Sequence, residues 1–99
     1  MPVKSQKRSS DRKIFNRTIR FELSIMESGQ LKNIQYDGLG LDISQSGLGL
    51  TTEYALKEGD VLRLILPIKE LDTTLPVLAE TVWSNPANGH FRAGLRFLV

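Results

Sequence analysis

The chain has 99 residues, 40% of them hydrophobic and 24% charged, which suits one domain with a modest core and excludes global disorder, a fibrous repeat and a two-domain enzyme. It has no cysteine and a single histidine, so disulfides, thiolate zinc sites and cysteine nucleophiles are excluded and metal chemistry has little to draw on. The net charge of +2 conceals an asymmetry: residues 1–20 hold seven basic side chains against Asp11, a balance of +6, while the other 79 residues hold six basic and ten acidic ones, a balance of −4.

A basic leader on an acidic body asks for an anionic partner, and nucleic acid, an acidic membrane surface, a phosphorylated small ligand and the domain's own acidic face are all open at this point, as is a solvated tail with no partner. No apolar run reaches the length of about 18 residues that a membrane helix needs, and Met1–Lys13 lacks the apolar core of a secretory signal. The expectation is a cytoplasmic, non-enzymatic domain without membrane insertion.

From Thr18 the pattern is that of strands. Ile19, Phe21, Leu23 and Ile25 alternate with polar residues and share one sheet face. Glu27-Ser28-Gly29-Gln30 reads as a hairpin turn, and Leu31–Tyr36 as a second, shorter strand. Asp37-Gly38-Leu39-Gly40 is expected to bend or bulge the chain, before Leu41–Ser44 continues as strand, Gln45-Ser46-Gly47 turns and Leu48–Leu50 resumes. A turn at Leu56–Asp60 feeds Val61–Leu66, whose nearly continuous apolar character suits a strand covered on both sides or at a barrel seam, ended by Pro67.

Beyond a polar loop, Leu75–Trp83 places Val77, Ala79, Thr81 and Trp83 on one parity, which makes Trp83 a core or rim residue in preference to a stacking platform. Asn85–Gly89 is the strongest turn signal, and Phe91, Ala93, Leu95 and Phe97 alternate after it, so the last two strands should form a hairpin. His90 reads as a solvated residue at the start of its strand, Gly38-x-Gly40 as a bulge and not a phosphate loop, and the pairs Glu58/Asp60 and Glu70/Asp72 as exposed turn charges. About six short strands without a helical period argue for a small antiparallel barrel or sandwich. Closure would also remove exposed edges.

Two short motifs carry chemistry. Arg8-Ser9-Ser10-Asp11-Arg12 sets two guanidiniums four residues apart in a polar leader, and Asp42-Ile43-Ser44-Gln45-Ser46-Gly47 sets a carboxylate and a hydroxyl on one side of a strand end, with a glycine after them. Either one alone is compatible with a basic tail or an ordinary Asp-initiated turn. Together, in this order, they resemble the PilZ domain, the bacterial receptor module for cyclic di-GMP. The resemblance extends through Leu41-Asp42-Ile43-Ser44, Gly47-Leu48-Gly49-Leu50, Leu56-x-x-Gly59-Asp60-x-Leu62-x-Leu64, Val82-Trp83 and Ala93-Gly94-Leu95-Arg96-Phe97.

The resemblance implies an all-β fold, a six-stranded antiparallel β-barrel over residues 18–99 preceded by a flexible basic arm over residues 1–17. It also implies that Arg8, Arg12, Asp42, Ser44 and Gly47, with Lys7 as a further candidate, form a cyclic di-GMP site. A guanidinium fork suits phosphate oxygens, the guanine O6/N7 edge and stacking on a purine, and a carboxylate suits guanine N1–H and N2–H. Lys13 and Arg17 offer a second basic pair at the same spacing, so the register of the arginine motif has one rival. The expected behaviour is an arm that orders over the ligand and signals to an effector protein, in a monomer or weak dimer that needs no cofactor and binds no nucleic-acid polymer. Two alternatives stand beside it: a degenerate PilZ-like adaptor that binds no nucleotide, and a small barrel that binds nucleic acid through its basic arm. The sequence ends at Val99, directly after the last expected strand, without the C-terminal helix that many members of the family carry.

Overall fold

A computed structural model describes residues 13–98. Six strands follow one another: β1 (Lys13–Glu27), β2 (Gln30–Ile43), β3 (Gly47–Thr52), β4 (Val61–Ile68), β5 (Thr73–Ala87) and β6 (His90–Phe97), with one 3-10 turn at Lys69–Leu71. All neighbours are antiparallel, and the sheet closes in the order β1-β2-β3-β6-β5-β4. The expected all-β, six-stranded barrel is the observed one. Among the described residues no helix is long and apolar enough to cross a membrane.

Alternation fills the interior. Ile19, Phe21 and Leu23 of β1 meet Leu48 and Leu50 of β3, Leu62, Leu64 and Leu66 of β4, Ala79 of β5, and Ala93 and Leu95 of β6, all buried. Fully burying one such aliphatic or aromatic side chain contributes about 1.5–3 kcal/mol. Two of the hairpins turn on two residues, Ser28-Gly29 and Asn88-Gly89, each with positive φ at both positions (52° and 77°, 49° and 86°). That backbone matches the twist of the flanking strands, which is why an Asn-Gly or Ser-Gly pair is found there.

Several expectations are corrected. β1 starts at Lys13 and so takes in residues 13–17, which the sequence alone assigns to the arm. β2 runs unbroken through Asp37–Gly40, because the two glycines there answer a spatial demand: a Cβ on Gly40 would lie 2.7 Å from Phe15 Cδ2, and one on Gly38 would lie 2.8 Å from both Leu50 Cδ1 and the Thr51 carbonyl oxygen. Of the two readings of β4, the barrel seam is the observed one: Leu62, Leu64 and Leu66 face inward, Val61 is exposed, and the strand closes the barrel against Arg20–Glu22 of β1. Pro67 does not end it. Its ladder to β1 stops at Ile65, so Pro67 sits on a free edge where a missing N–H costs nothing, and it pairs with Thr74. Asn85–Ala87, expected as a turn, belong to β5.

Candidate ligand-binding wall

At one end of the barrel, β1 and β2 come together at their far termini. Lys13 is in register with Ile43 and Ile14 with Asp42. Just beyond, the ladder carries an extra residue on β1, where Asn16 adopts a left-handed φ of 48°. Across the other side of β2 a second irregularity falls between Gly40 and Asp42, so that Asp42 pairs with Gly49. Bulges of this kind change which way the following side chains point.

Following that register across the outer wall gives one continuous row: Ile14 on β1, Asp42 on β2, Gly49 on β3, Gly94 on β6 and Trp83 on β5. The two central positions of the row are glycines for a concrete reason. A Cβ on Gly49 would lie 2.8 Å from Asp42 Oδ1, and one on Gly94 would run into Trp83 Nε1, with Cε2 at 2.6 Å. The Asp42 carboxylate and the Trp83 indole therefore each lean over a glycine from opposite sides. With neighbouring strands about 4.8 Å apart, the backbones of Asp42 and Trp83 stand roughly 14 Å from each other, and their side chains lie on the glycine floor between them, Gly94 being buried under the indole.

Trp83 is thus not a core residue. An extra residue in β5 between Thr81 and Trp83 reverses the parity, so Ser84 takes the inward position opposite Ala93 while the indole is 42% exposed. The alternation of Val77, Ala79 and Thr81 points inward as expected and gives no hint of that reversal. The only sequence signal for it is the facing Gly94, which leaves room for the ring.

Ser44 follows β2 directly, and its hydroxyl is occupied within the turn: its Oγ accepts from the Ser46 N–H at 3.2 Å and lies 3.1 Å from Ser46 Oγ. The Ser44 N–H donates to the Gly47 carbonyl at 2.9 Å, and the Phe97 N–H donates to the Ser46 carbonyl at 2.9 Å, tying the turn to β6. Gly47 is required by that neighbour and not by turn geometry, because it carries no positive φ and a Cβ there would collide with the Leu95 carbonyl. The next row outward reads Gly47, Arg96, Glu80 and Val61, with Arg96 and Glu80 in an ion pair. Ser44 and Gly47 therefore shape the rim, and Asp42 and Trp83 cover the floor.

Arg8, Arg12 and Lys7 lie outside the described residues. Of the rival basic pair, Lys13 is exposed at the start of β1, whereas the Arg17 guanidinium carbon lies 6.0 Å from the Phe15 ring centroid. His90 opens β6, half-buried and in register with Ala87. Asp60, read as an exposed turn charge, is half-buried and accepts the Lys57 N–H at 2.9 Å. It also helps to raise the pKa of Tyr54 above the ordinary 10.0, behind burial of the phenol and ahead of Tyr36. Among the described residues, no group of three or more His, Cys, Asp or Glu side chains is placed to hold a metal ion.

Comparison with known proteins fits this geometry. Residues 6–99 match the model of the PilZ domain family. Among solved structures, the chain is similar to the PilZ domain with c-di-GMP of YcgR from Escherichia coli, with a TM-score of 0.64 at 18% sequence identity, covering 94% of this chain and 79% of that one. A search of curated proteins by sequence gives no significant match.

Proposed function

Because this chain belongs to the PilZ domain family, we propose that it is a non-catalytic receptor for cyclic di-GMP, which binds the dinucleotide between its basic leader and the outer wall around Asp42. The observation that carries this reading is the register of β1 on β2. Lys13 stands opposite Ile43 and Ile14 opposite Asp42. Arg12 is one peptide bond from Lys13, and Arg8 five residues from it, at most roughly 18 Å of extended chain. Both guanidiniums are therefore tethered within reach of the carboxylate and the glycine floor.

Each residue has a role that its chemistry allows. Arg8 and Arg12 meet phosphate oxygens or the guanine O6/N7 edge, and Lys7 adds positive charge beside them. Asp42 accepts from guanine N1–H and N2–H. The half-exposed Trp83 indole, lying over Gly94, offers a guanine ring a stacking face. Ser44 and Gly47 hold the rim turn against β6. The YcgR domain similar to this chain is described with c-di-GMP, which supports the same ligand class here.

The signalling step follows from the leader. Residues 1–12, ahead of β1, act as an arm that orders on the ligand, and the surface so formed is offered to an effector protein in the cytoplasm, without a cofactor or a nucleic-acid polymer, by a monomer or weak dimer. Calorimetric titration of the whole chain with cyclic di-GMP tests the reading. Binding at micromolar affinity or tighter is expected, with no comparable affinity for GTP or single-stranded RNA. Arg12→Ala should lose roughly 30-fold or more, the effect of removing a charge-assisted contact of about 2–4 kcal/mol. No heat with the unsubstituted chain overturns the receptor reading in favour of an adaptor.

A further inference from the structure

Resting on that reading, we infer that Arg92, on the barrel wall itself, is a further ligand-binding residue and contacts a phosphate of the dinucleotide. The register places it. Arg92 of β6 pairs with Thr51 of β3 and Asn85 of β5, in the row directly beside Gly49, Gly94 and Trp83. It precedes Gly94 by two residues, hence lies on the same outward face at about 7 Å along the strand, within the reach of an arginine side chain. β6 so presents Arg92 and Arg96 on either side of the glycine that forms the floor.

The two arginines differ in their surroundings. Arg96 is held by Glu80, and of the other described arginines Arg20 pairs with Asp37, Arg63 with Glu22, and Arg17 lies over Phe15. Arg92 is exposed and makes no ion pair, hydrogen bond or ring contact with any described residue. A guanidinium with no partner on a body of net charge −4, set two residues along β6 from the glycine that the Trp83 indole covers, is available to a ligand anion without first breaking a contact. Beside it, Thr51 Oγ1 is shut off from solvent and has no hydrogen-bond partner among the described residues. The carboxylate of Asp42 lies two strands away, so the wall offers an acceptor on one flank and a cation on another.

Titration of the full chain with cyclic di-GMP in three forms, unsubstituted, Arg92→Gln and Arg92→Lys, tests the inference, with thermal unfolding run on each. Arg92→Gln is expected to weaken binding about tenfold with an unchanged melting temperature, and Arg92→Lys to stay within about threefold, because a phosphate accepts a point charge where a bidentate base edge does not. The difference between Arg92→Gln and the unsubstituted chain should shrink as salt is raised. Equal affinity of Arg92→Gln and the unsubstituted chain overturns the inference while leaving the receptor reading intact. Arg92→Lys losing as much as Arg92→Gln also overturns it, since charge is then not what the position supplies. Silence of the unsubstituted chain overturns the receptor reading and this inference with it.

Discussion

On the wall formed by β1, β2 and β4, polar side chains answer one another: Glu22 accepts from Arg63 at 3.1 Å and from Gln35 at 3.0 Å, Ser24 donates to Asn33 at 2.6 Å, Arg20 donates to Asp37 at 3.4 Å and Lys32 to Glu27 at 3.0 Å. On the wall formed by β2, β3, β6 and β5, the outer surface carries the Asp42 carboxylate over Gly49 and the Trp83 indole over Gly94, with Arg92 alongside. Both walls cover the same core. The first spends its polar groups on itself, whereas the second has glycines at its centre, over which a carboxylate and an aromatic ring lie. A barrel surface that presents a half-exposed indole beside an unpaired arginine is suited to a planar, charged ligand, and the other wall is not.

The largest effect should come where backbone approach is closest on the second wall. Gly47→Ala drives a methyl into the Leu95 carbonyl, and because backbone cannot rotate away, a stability loss of about 3 kcal/mol is expected in urea unfolding. A loss under 0.5 kcal/mol would show that β3 and β6 part more easily than their packing implies. Trp83→Ala separates binding from folding: the half-exposed indole should cost little stability, while loss of a stacking face should weaken cyclic di-GMP binding by about 1–3 kcal/mol. Unchanged affinity would remove Trp83 from the site.

Gly94→Ala sharpens the same point. Its methyl meets the indole, a movable side chain, so the ring should swing from the floor, visible as a change in tryptophan fluorescence together with weaker ligand binding and a stability loss of only about 1 kcal/mol. The first wall supplies the smallest effect. Glu22→Ala removes the acceptor of Arg63 on a largely exposed surface and should cost no more than about 1 kcal/mol, with ligand affinity unchanged.

Tyr54 sits outside both walls and gives a pH signature. Burial, then Asp60, then Tyr36, raise its folded pKa above 10.0, so the folded chain keeps a phenolic proton that the unfolded chain has begun to lose. The stabilisation is complete below pH 10 and is lost as pH rises through the folded pKa. Unfolding free energy should therefore fall above pH 10 in the unsubstituted chain and less steeply in Tyr54→Phe.

Strand alternation and turn chemistry are local properties, and they were readable along the chain. Ile19, Phe21 and Leu23 are inward as their period-two pattern implies, Ser28-Gly29 turns as its residue types imply, and Asp42 and Ser44, two residues apart, fall at one strand end. The arginine motif was equally readable as chemistry, though its placement depends on residues before Lys13. What the chain could not reveal was anything set by a neighbour distant in sequence. Trp83 faces outward because β5 carries one more residue than β6 at that point, and Gly38, Gly40, Gly47, Gly49 and Gly94 answer side chains or carbonyls on other strands. A period-two pattern fixes a face only while the ladder stays in step. Each bulge resets it, and the position of a bulge is decided when the barrel closes, by which strand must be longer to reach its partner. The composition of the site was thus written in the sequence, and its shape was decided by closure of the sheet.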